Sequence, residues 1–305
     1  MDVLITGASG FVGQSLFGFL EGEQHTVHTL SLRDRTWKQH FPKEIDAVIH
    51  LAAKLPDKNR ETQDESEYYW INRDLTLEVF KQFLDSEARD FFFFSSVKAI
   101  AESFDGVLTE QTVGYPRTPY GLSKYEAENK LLSTKLPEGK RLFIIRPCLI
   151  LGSPKNEFLN YLFRRVQKGR SWSLANFHIE RSFLSPENLN YLIGEMLKNE
   201  NLPSGIYNFA DDKPLSVNQL LDSIWQCLDK PTRFRHLPPS VVHGIARVGD
   251  MFGLPFNSKR LRKLTANLPV SNQKIKDALG IECLPYSPRK GLLRTLIKWR
   301  NGEKQ

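Results

Sequence analysis

Tyr120 and Lys124 stand four residues apart, a spacing that places a phenol and an ammonium on one face of a helix. An unperturbed Tyr, with a pKa of about 10, is a poor proton donor and acceptor for carbonyl and alcohol chemistry near neutral pH. A neighbouring cation favours the phenolate and lowers that pKa. The pair therefore indicates an acid/base group. Tyr286 and Lys290 repeat the spacing without a preceding strand, and we interpret them as a chance match.

Two hydroxyl residues, Ser95 and Ser96, follow the apolar run of four Phe residues at positions 91–94. The run has the pattern of a buried strand, and doubly wound sheets bind ligands at the carboxyl ends of their strands. A hydroxyl at this place can donate a hydrogen bond to a substrate carbonyl and hold it toward Tyr120. Taken alone, a Ser-Ser pair at the end of a strand also fits an ordinary turn.

A Gly-rich segment lies directly between the first β-rich run and the first helical pattern. Its glycines allow a tight turn and a close approach of the backbone to a pyrophosphate, while the helix N-terminus supplies amide groups and partial positive charge. The order of strand, turn and helix predicts a dinucleotide site. Its predicted binding residues are Gly7, Gly10, Phe11, Val12 and Gly13.

The end of the second predicted strand bears on which dinucleotide binds. An acidic side chain there would bind a free ribose 2′-hydroxyl, whereas an Arg accommodates a 2′-phosphate. Ser31 stands where the acid is expected, and Arg33 follows it. The sequence therefore favours NADP over NAD, with Arg33 as the contact. Two alternatives stay open: Arg33 and Arg35 are solvated loop charges, or Asp34 binds the ribose.

Short β-rich runs alternate with helical stretches in the first half of the chain, which predicts an α/β fold with a Rossmann-type doubly wound parallel sheet. The predicted strands are Val3 to Thr6, Thr26 to Leu32, Ala47 to Leu51, Phe91 to Ser95 and Leu142 to Arg146. Helices are predicted over Glu65 to Ser86 and from Pro119 to about Thr134. We expect residues 1–150 to form the dinucleotide-binding domain, with a returning segment near 182–210.

Helical patterns dominate after Gly152 and are separated by joints rich in Pro and Gly. The predicted helices are Glu157 to Lys168, Pro186 to Lys198, Ser216 to Leu228, Ser240 to Phe252 and Arg289 to Arg300. Residues 151–305 are therefore expected to form a smaller, mostly helical domain that mainly binds the substrate.

Together these motifs resemble the extended short-chain dehydrogenase/reductases, the NAD-dependent epimerase/dehydratase family, over essentially the whole chain. The motifs that carry the resemblance are Thr6 to Gly13, Asp46 to Ala53, Asn72, Ser95 to Lys98, Tyr120 to Lys124, Arg146-Pro147 and Arg181 to Leu184. The resemblance implies Ser96, Tyr120 and Lys124 as the catalytic triad. Tyr120 would be the acid/base, Ser96 would orient the reacting oxygen, and Lys124 would contact the nicotinamide ribose and tune Tyr120.

The resemblance also implies binding residues outside the triad. Those predicted to line the cofactor are Leu51, Ala52, Ala53 and Pro147, with Tyr120 and Lys124. Arg181 would grip the diphosphate of a nucleotide sugar, a task suited to a guanidinium fork. The alternative for Arg181 is an ion pair at the joint between domains. Asn72 is expected to form structural hydrogen bonds only.

Departures from the family pattern narrow the predicted chemistry. Val97 and Lys98 stand where sugar 4,6-dehydratases of this family place acidic residues, which argues against a dehydratase. Leu149 stands where many epimerases carry an Asn that contacts the substrate, and Asn156 is a substitute candidate. Ordinary UDP-glucose and UDP-galactose specificity is therefore in doubt.

The resemblance, together with the absence of an acidic residue at Ser31, favours a reductase of a 4-keto UDP sugar in polysaccharide precursor synthesis that uses NADP or NAD. A UDP-sugar 4-epimerase with tightly bound NAD uses the same residues and remains an alternative. A reductase of a non-sugar ketone and a non-catalytic dinucleotide-binding sensor are further alternatives.

Composition excludes several other classes of protein. The chain has 305 residues, of which 40% are hydrophobic and 25% charged, as in ordinary globular proteins. Its richest apolar stretch, Leu142 to Leu151, is short and contains Arg146, so we expect no membrane span. Three separated Cys and seven scattered His residues give no disulfide framework and no metal spacing. We expect a cytoplasmic protein without a targeting segment, and a homodimer is compatible with the sequence.

The net charge of +7 is concentrated near the C-terminus. Residues 259–300 hold 11 Lys or Arg against two acidic residues, a local charge of +9, and the rest of the chain carries −2. Aromatic residues do not interleave with these cations in the way that indicates nucleic-acid binding. Three interpretations stay open: a solvated helical face, a field that attracts an anionic UDP sugar, and peripheral contact with an anionic membrane.

Overall fold

The computed structural model describes residues 1–56, 64–153 and 156–302. The strands are β1 (Asp2–Thr6), β2 (Thr26–Leu30), β3 (Ala47–His50), β4 (Asp90–Phe94), β5 (Arg141–Pro147), β6 (Leu149–Ile150), β7 (Glu180–Arg181), β8 (Phe183–Leu184), β9 (Gly205–Phe209) and β10 (Leu215–Ser216). Six of them form one parallel sheet in the order β2-β1-β3-β4-β5-β9. The predicted doubly wound parallel sheet is confirmed.

The helices are α1 (Phe11–Gly22), α2 (Glu65–Tyr69), α3 (Leu75–Leu84), α4 (Pro119–Leu132), α5 (Glu157–Gln167), α6 (Pro186–Lys198), α7 (Val217–Cys227), α8 (Pro239–Met251), α9 (Ser258–Thr265), α10 (Gln273–Leu279) and α11 (Pro288–Arg300). Short 3-10 turns lie at Trp37–His40 and Val97–Ala99. The long helix predicted over residues 65–86 is instead two α-helices joined by a π-helical segment, Trp70–Asp74.

The sheet is covered on both faces, which explains why its strands are apolar along their whole length. All five residues of β4 are buried, and alternate Phe side chains pack on opposite faces. One face is covered by α1 and α6, the other by α3 and α4. The sixth strand, β9, extends the sheet beside β5 and was not among the predicted strands. Its residues lie within the segment near 182–210 that was expected to return to the first domain.

A separate hydrophobic core lies in the C-terminal half, among α5, α7, α8, α9 and α11. Cys148 packs in the sheet core, whereas Leu151 packs in this second core. No helix among the described residues is both long and apolar enough to cross a bilayer. The described part of the chain also contains no cluster of three His, Cys, Asp or Glu side chains that could hold a metal ion.

Candidate active site

The residues predicted to do chemistry follow the carboxyl ends of neighbouring strands. Gly7 follows β1, Leu51 follows β3, Ser96 lies just beyond β4, and Pro147 ends β5. Because the strands are parallel, these ends share one edge of the sheet, where doubly wound folds bind their ligands. The sheet therefore brings the predicted cofactor and catalytic residues to one side of the molecule.

Helix α4 begins so that Tyr120 reaches Ser96. Thr118 caps the helix by accepting a hydrogen bond from the Gly121 amide at 3.2 Å. A Cβ atom at Gly121 would lie 2.6 Å from the Lys98 carbonyl oxygen, so only glycine allows α4 to pack this closely on the turn after Ser96. The Ser96 hydroxyl lies close enough to the Tyr120 phenol to lower its pKa. Two of the three predicted catalytic residues are thus neighbours.

Burial raises the pKa of Tyr120 to about 12, although the hydrogen bond from Ser96 lowers it. The sequence-based expectation was a pKa lowered by a nearby Lys124 cation. That lowering is absent from the structure: desolvation of the phenol is the largest influence on its pKa, the Glu128 carboxylate raises the pKa further, and only Ser96 lowers it. Without cofactor and substrate, Tyr120 is a neutral phenol at pH 7 and holds the proton that a carbonyl oxygen would receive.

Lys124 is 1% exposed, and its ammonium donates a hydrogen bond to the Phe94 carbonyl at 2.7 Å. The same ammonium lies 4.6 Å from the centre of the Phe93 ring. Burial lowers the pKa of Lys124 to about 7, although the Glu128 carboxylate raises it. The structure thus anchors Lys124 at the end of β4, one residue before the two serines.

A buried ionic network, not recognised from the sequence, lies beneath Lys124. Glu128 accepts hydrogen bonds from the Ser95 hydroxyl and from Arg146, whose Nη2 lies 2.5 Å from Oε2. Arg146 Nε is 3.1 Å from both carboxylate oxygens. The available signal was Glu128 itself, which stands four residues after Lys124 and therefore on the same face of α4.

The first turn of α1 has the features that a dinucleotide diphosphate requires. Its N-cap, Gly10, provides no side-chain acceptor, in contrast to the capped start of α4. Gly7 adopts φ +77°, and a Cβ there would lie 2.6 Å from the Ala52 amide nitrogen. The uncapped amides of Phe11, Val12 and Gly13 therefore fit an anionic group, and the close contact of Gly7 with Ala52 joins two predicted cofactor segments.

Asn72 connects the loop after β3 to helix α4. Its Oδ1 accepts from the Lys54 amide at 2.8 Å, while Nδ2 donates to the Lys54 carbonyl at 3.1 Å and to Ser123 Oγ at 3.0 Å. Leu51, Ala52 and Ala53 immediately precede Lys54, whose backbone Asn72 binds. The buried amide thus fixes the predicted cofactor-lining loop relative to α4.

The turn after β2 exposes Arg33, the predicted contact for a 2′-phosphate. The Asp34 carboxylate accepts hydrogen bonds from the Thr36 amide at 2.8 Å and from the Thr36 hydroxyl at 2.7 Å. These bonds lower the pKa of Asp34 and direct the carboxylate into its own loop. Of the two residues considered for the ribose, Arg33 is the one that remains unengaged among the described residues.

Arg181 is largely buried but has no carboxylate partner among the described residues. Its Nε donates to the Ala266 carbonyl at 2.9 Å and Nη2 to the Lys263 carbonyl at 2.8 Å. Its guanidinium lies 3.8 Å from the centre of the Phe158 ring. Desolvation lowers the pKa of Arg181 to about 10. Within the described part of the chain, Arg181 thus forms no ion pair of the kind considered as an alternative, and no carboxylate there neutralises its charge.

Asn156, the substitute candidate for a substrate contact, caps α5. Its Oδ1 accepts from the Leu159 amide at 3.2 Å, and Nδ2 donates to the Ile150 carbonyl at 3.3 Å. The side chain is buried. Both polar groups of the amide therefore already have partners within the loop and helix.

The doubly wound parallel sheet and the glycine-rich turn before α1 are features of dinucleotide-binding proteins. Residues 3–210 match the NAD dependent epimerase/dehydratase family, and the chain belongs to this family of nucleotide-sugar epimerases and reductases. The family prediction is thereby confirmed.

Two curated relatives cover most of the chain. A UDP-glucose 4-epimerase of Vibrio cholerae is 27% identical and covers 92% of this chain and 90% of its own. The N-acetyl-alpha-D-glucosaminyl-diphospho-ditrans,octacis-undecaprenol 4-epimerase of Escherichia coli O157:H7 is 26% identical. The match covers 97% of this chain and 94% of that relative.

Solved structures share the fold over the whole chain. MoeE5 in complex with UDP-glucose and NAD has a TM-score of 0.74 at 20% identity and covers all of both chains. RMD from Pseudomonas aeruginosa complexed with NADPH has a TM-score of 0.73 at 19% identity and covers 98% of this chain and 99% of its own. Proteins of this fold thus include both NAD and NADPH complexes.

Replacing Glu128 with Gln should destabilise the protein by about 3–5 kcal/mol, because it leaves the buried Arg146 charge without its partner. Denaturant titration of the cofactor-free protein measures this change. Glu126→Gln is the matched control, since Glu126 lies on the same helix but pairs with Arg73 near the surface. The control should cost less than about 1 kcal/mol. Equal effects of the two substitutions would contradict the proposed importance of burial.

The stability contribution of Lys124 should rise with pH between about 7 and 10. The folded protein releases this proton near pH 7, whereas the unfolded chain keeps it until about pH 10.5. In that window the unfolded state binds more protons, so the free energy of unfolding increases by at most about 1.4 kcal/mol per pH unit. Lys124→Met should remove this increase, as measured by denaturant titration at several pH values. Lys130→Met, on the exposed side of α4, should leave it in place.

Proposed function

We propose that the protein is an NADP-dependent reductase that acts at carbon 4 of a 4-keto UDP sugar. The contact of Ser96 with the neutral Tyr120 phenol carries this proposal, because a proton donor and an orienting hydroxyl are what carbonyl reduction requires. The sugar would belong to the cytoplasmic synthesis of a polysaccharide precursor.

Tyr120 would donate its phenolic proton to the carbonyl oxygen of the substrate while Ser96 donates a hydrogen bond to the same oxygen. The nicotinamide dinucleotide supplies the hydride when it is bound. Lys124 would bind the nicotinamide ribose, and its positive charge would stabilise the phenolate that remains on Tyr120. The proton would then be restored to Tyr120 from solvent before the next turnover.

The predicted cofactor residues divide between the two ends of the dinucleotide. The amides of Phe11, Val12 and Gly13 would hold the diphosphate, with Gly7 and Gly10 allowing its close approach. Leu51, Ala52, Ala53 and Pro147 would line the cofactor along the sheet edge. Arg33 would bind the 2′-phosphate, and the engagement of Asp34 with Thr36 supports NADP over NAD.

Arg181 would bind the diphosphate of the sugar substrate. An unneutralised, largely buried guanidinium favours an anionic partner, and its fixed hydrogen bonds hold it in a defined orientation. The two hydrogen bonds formed by the Asn156 side chain favour a structural role. Asn156 is therefore a weaker candidate than Arg181 for a substrate contact.

A UDP-sugar 4-epimerase is the second candidate. The observation that favours it is the similarity over more than 90% of the chain to two curated 4-epimerases. An epimerase would retain NAD between two half-reactions, whereas a reductase exchanges its cofactor. The substrate in the name of the E. coli relative is a sugar linked through a diphosphate to undecaprenol. A diphosphate is therefore the chemical group that this substrate shares with UDP sugars.

Purified protein should oxidise NADPH faster than NADH with UDP-4-keto-6-deoxy sugars. Tyr120→Phe should lower kcat by about 10²- to 10⁴-fold, because it removes the proton donor, and should leave cofactor binding unchanged. Spectrophotometric turnover and a fluorescence titration of the cofactor measure the two effects. If the protein retains bound NAD and equilibrates UDP-N-acetylhexosamine 4-epimers without added cofactor, the epimerase is the correct function.

Arg181→Gln should raise KM for a UDP-linked substrate at least tenfold with little change in kcat, because it removes a charge that faces a diphosphate. Thermal unfolding of the variant provides the structural control, since Arg181 also binds two carbonyls near the end of α9. A lower melting temperature with an unchanged KM would assign Arg181 a purely structural role and would favour a non-sugar ketone as substrate.

A further inference from the structure

Helix α8 carries an apolar stripe on its solvent-facing side. The inner face of the helix packs Val242 and Ala246 into the C-terminal core, as an amphipathic helix should. Large hydrophobic side chains also project outward, at spacings of four, three and four residues, which places them on one helix face. The exposed side chains of this stripe are Val241, Ile245, Val248 and Phe252.

The stripe continues into the turn that joins α8 to α9. Met251 is 79% exposed and Phe252 71% exposed, and Leu254 is also exposed. Hydrogen bonds fix this turn: the Asp250 carboxylate accepts from the Ser258 amide at 3.1 Å and from the Ser258 hydroxyl at 2.5 Å. The α8–α9 hairpin, residues 239–265, therefore presents large apolar side chains from an ordered tip.

The hairpin that carries the apolar stripe is also positively charged. Its basic residues are Arg247, Lys259, Arg260, Arg262 and Lys263, all of them exposed. Its single acidic residue is Asp250, whose carboxylate is bonded to Ser258. Arg247, Lys259 and Arg262 form no ion pair within the described residues. The hairpin thus has a net charge of +4 beside an uncovered apolar surface.

We propose that the α8–α9 hairpin docks the protein on an anionic lipid bilayer. Proteins rarely expose a contiguous apolar surface of this kind unless something covers it. An apolar helix face flanked by Lys and Arg is the pattern of helices that lie in a membrane interface, with the apolar side chains among the acyl chains and the cations at the lipid headgroups. Met251 and Phe252 at the tip enter the bilayer first.

Charge complementarity favours the bilayer over a second copy of this chain. In a twofold dimer the same patch would face itself and would bring the unpaired cations of both copies together, which is unfavourable. Anionic headgroups neutralise these cations instead. The hairpin contains none of the predicted catalytic residues, so this proposal does not depend on the proposed reaction.

Sedimentation with lipid vesicles tests the proposal. The full-length protein should pellet with vesicles of phosphatidylcholine and phosphatidylglycerol but not with phosphatidylcholine alone, and the bound fraction should fall as salt is added. Neutralising three cations together, in Arg247→Gln/Lys259→Gln/Arg262→Gln, should lower the partition coefficient about a hundredfold, at about fivefold for each charge. Lys130→Gln/Lys135→Gln is the charge control and should bind as the original protein does.

The apolar contribution is tested with Met251→Ser/Phe252→Ser, which should reduce vesicle binding at least tenfold. Val113→Ser, a change at an exposed apolar residue outside the hairpin, is its control. Both variants should keep the original melting temperature, because the altered side chains are exposed. Failure of the original protein to bind anionic vesicles would overturn the proposal. Equal binding by Met251→Ser/Phe252→Ser and by Val113→Ser would overturn it too. If light scattering shows that the original protein is a dimer and that only Met251→Ser/Phe252→Ser is a monomer, the proposal is overturned and a second copy of the chain is the partner.

Discussion

The candidate active site depends on the buried ion pair between the Glu128 carboxylate and Arg146. The carboxylate lies between two buried cations, pairing directly with Arg146 and raising the pKa of Lys124, and it accepts a hydrogen bond from Ser95. A single carboxylate cannot compensate fully for two desolvated cations, and burial still lowers the pKa of Lys124 to about 7. The end of β4, the end of β5 and the helix α4 are therefore connected by one ionic group.

Close packing of the backbone makes this arrangement possible. Gly121 lets α4 approach the turn after Ser96, and Gly7 lets the first loop contact the segment after β3. Asn72 joins that segment to α4 through hydrogen bonds to Lys54 and Ser123. The predicted cofactor loop, helix α4 and the turn that carries Ser96 are consequently held by close contacts, as preorganised catalysis would require.

The sequence was sufficient for five of the six strands of the sheet, because buried parallel strands and capped helices leave strong local patterns, as in β4 and α4, but it did not reveal β9. It was insufficient for the π-helical segment at Trp70–Asp74, because the apolar spacing of a helix does not encode where a single turn widens. The Glu128–Arg146 pair was also missed, because pairing between a helix and a strand has no fixed sequence spacing. The raised pKa of Tyr120 depends on burial, which no motif encodes.

Helix α9 lies in the basic region near the C-terminus and forms hydrogen bonds to other elements near both of its ends. The carbonyls of Lys263 and Ala266, at its carboxyl end, hold Arg181, while its first residue, Ser258, is bonded to Asp250 of α8. A helix of eight residues is only about 12 Å long. The proposed diphosphate contact and the proposed membrane contact therefore lie at opposite ends of one short helix.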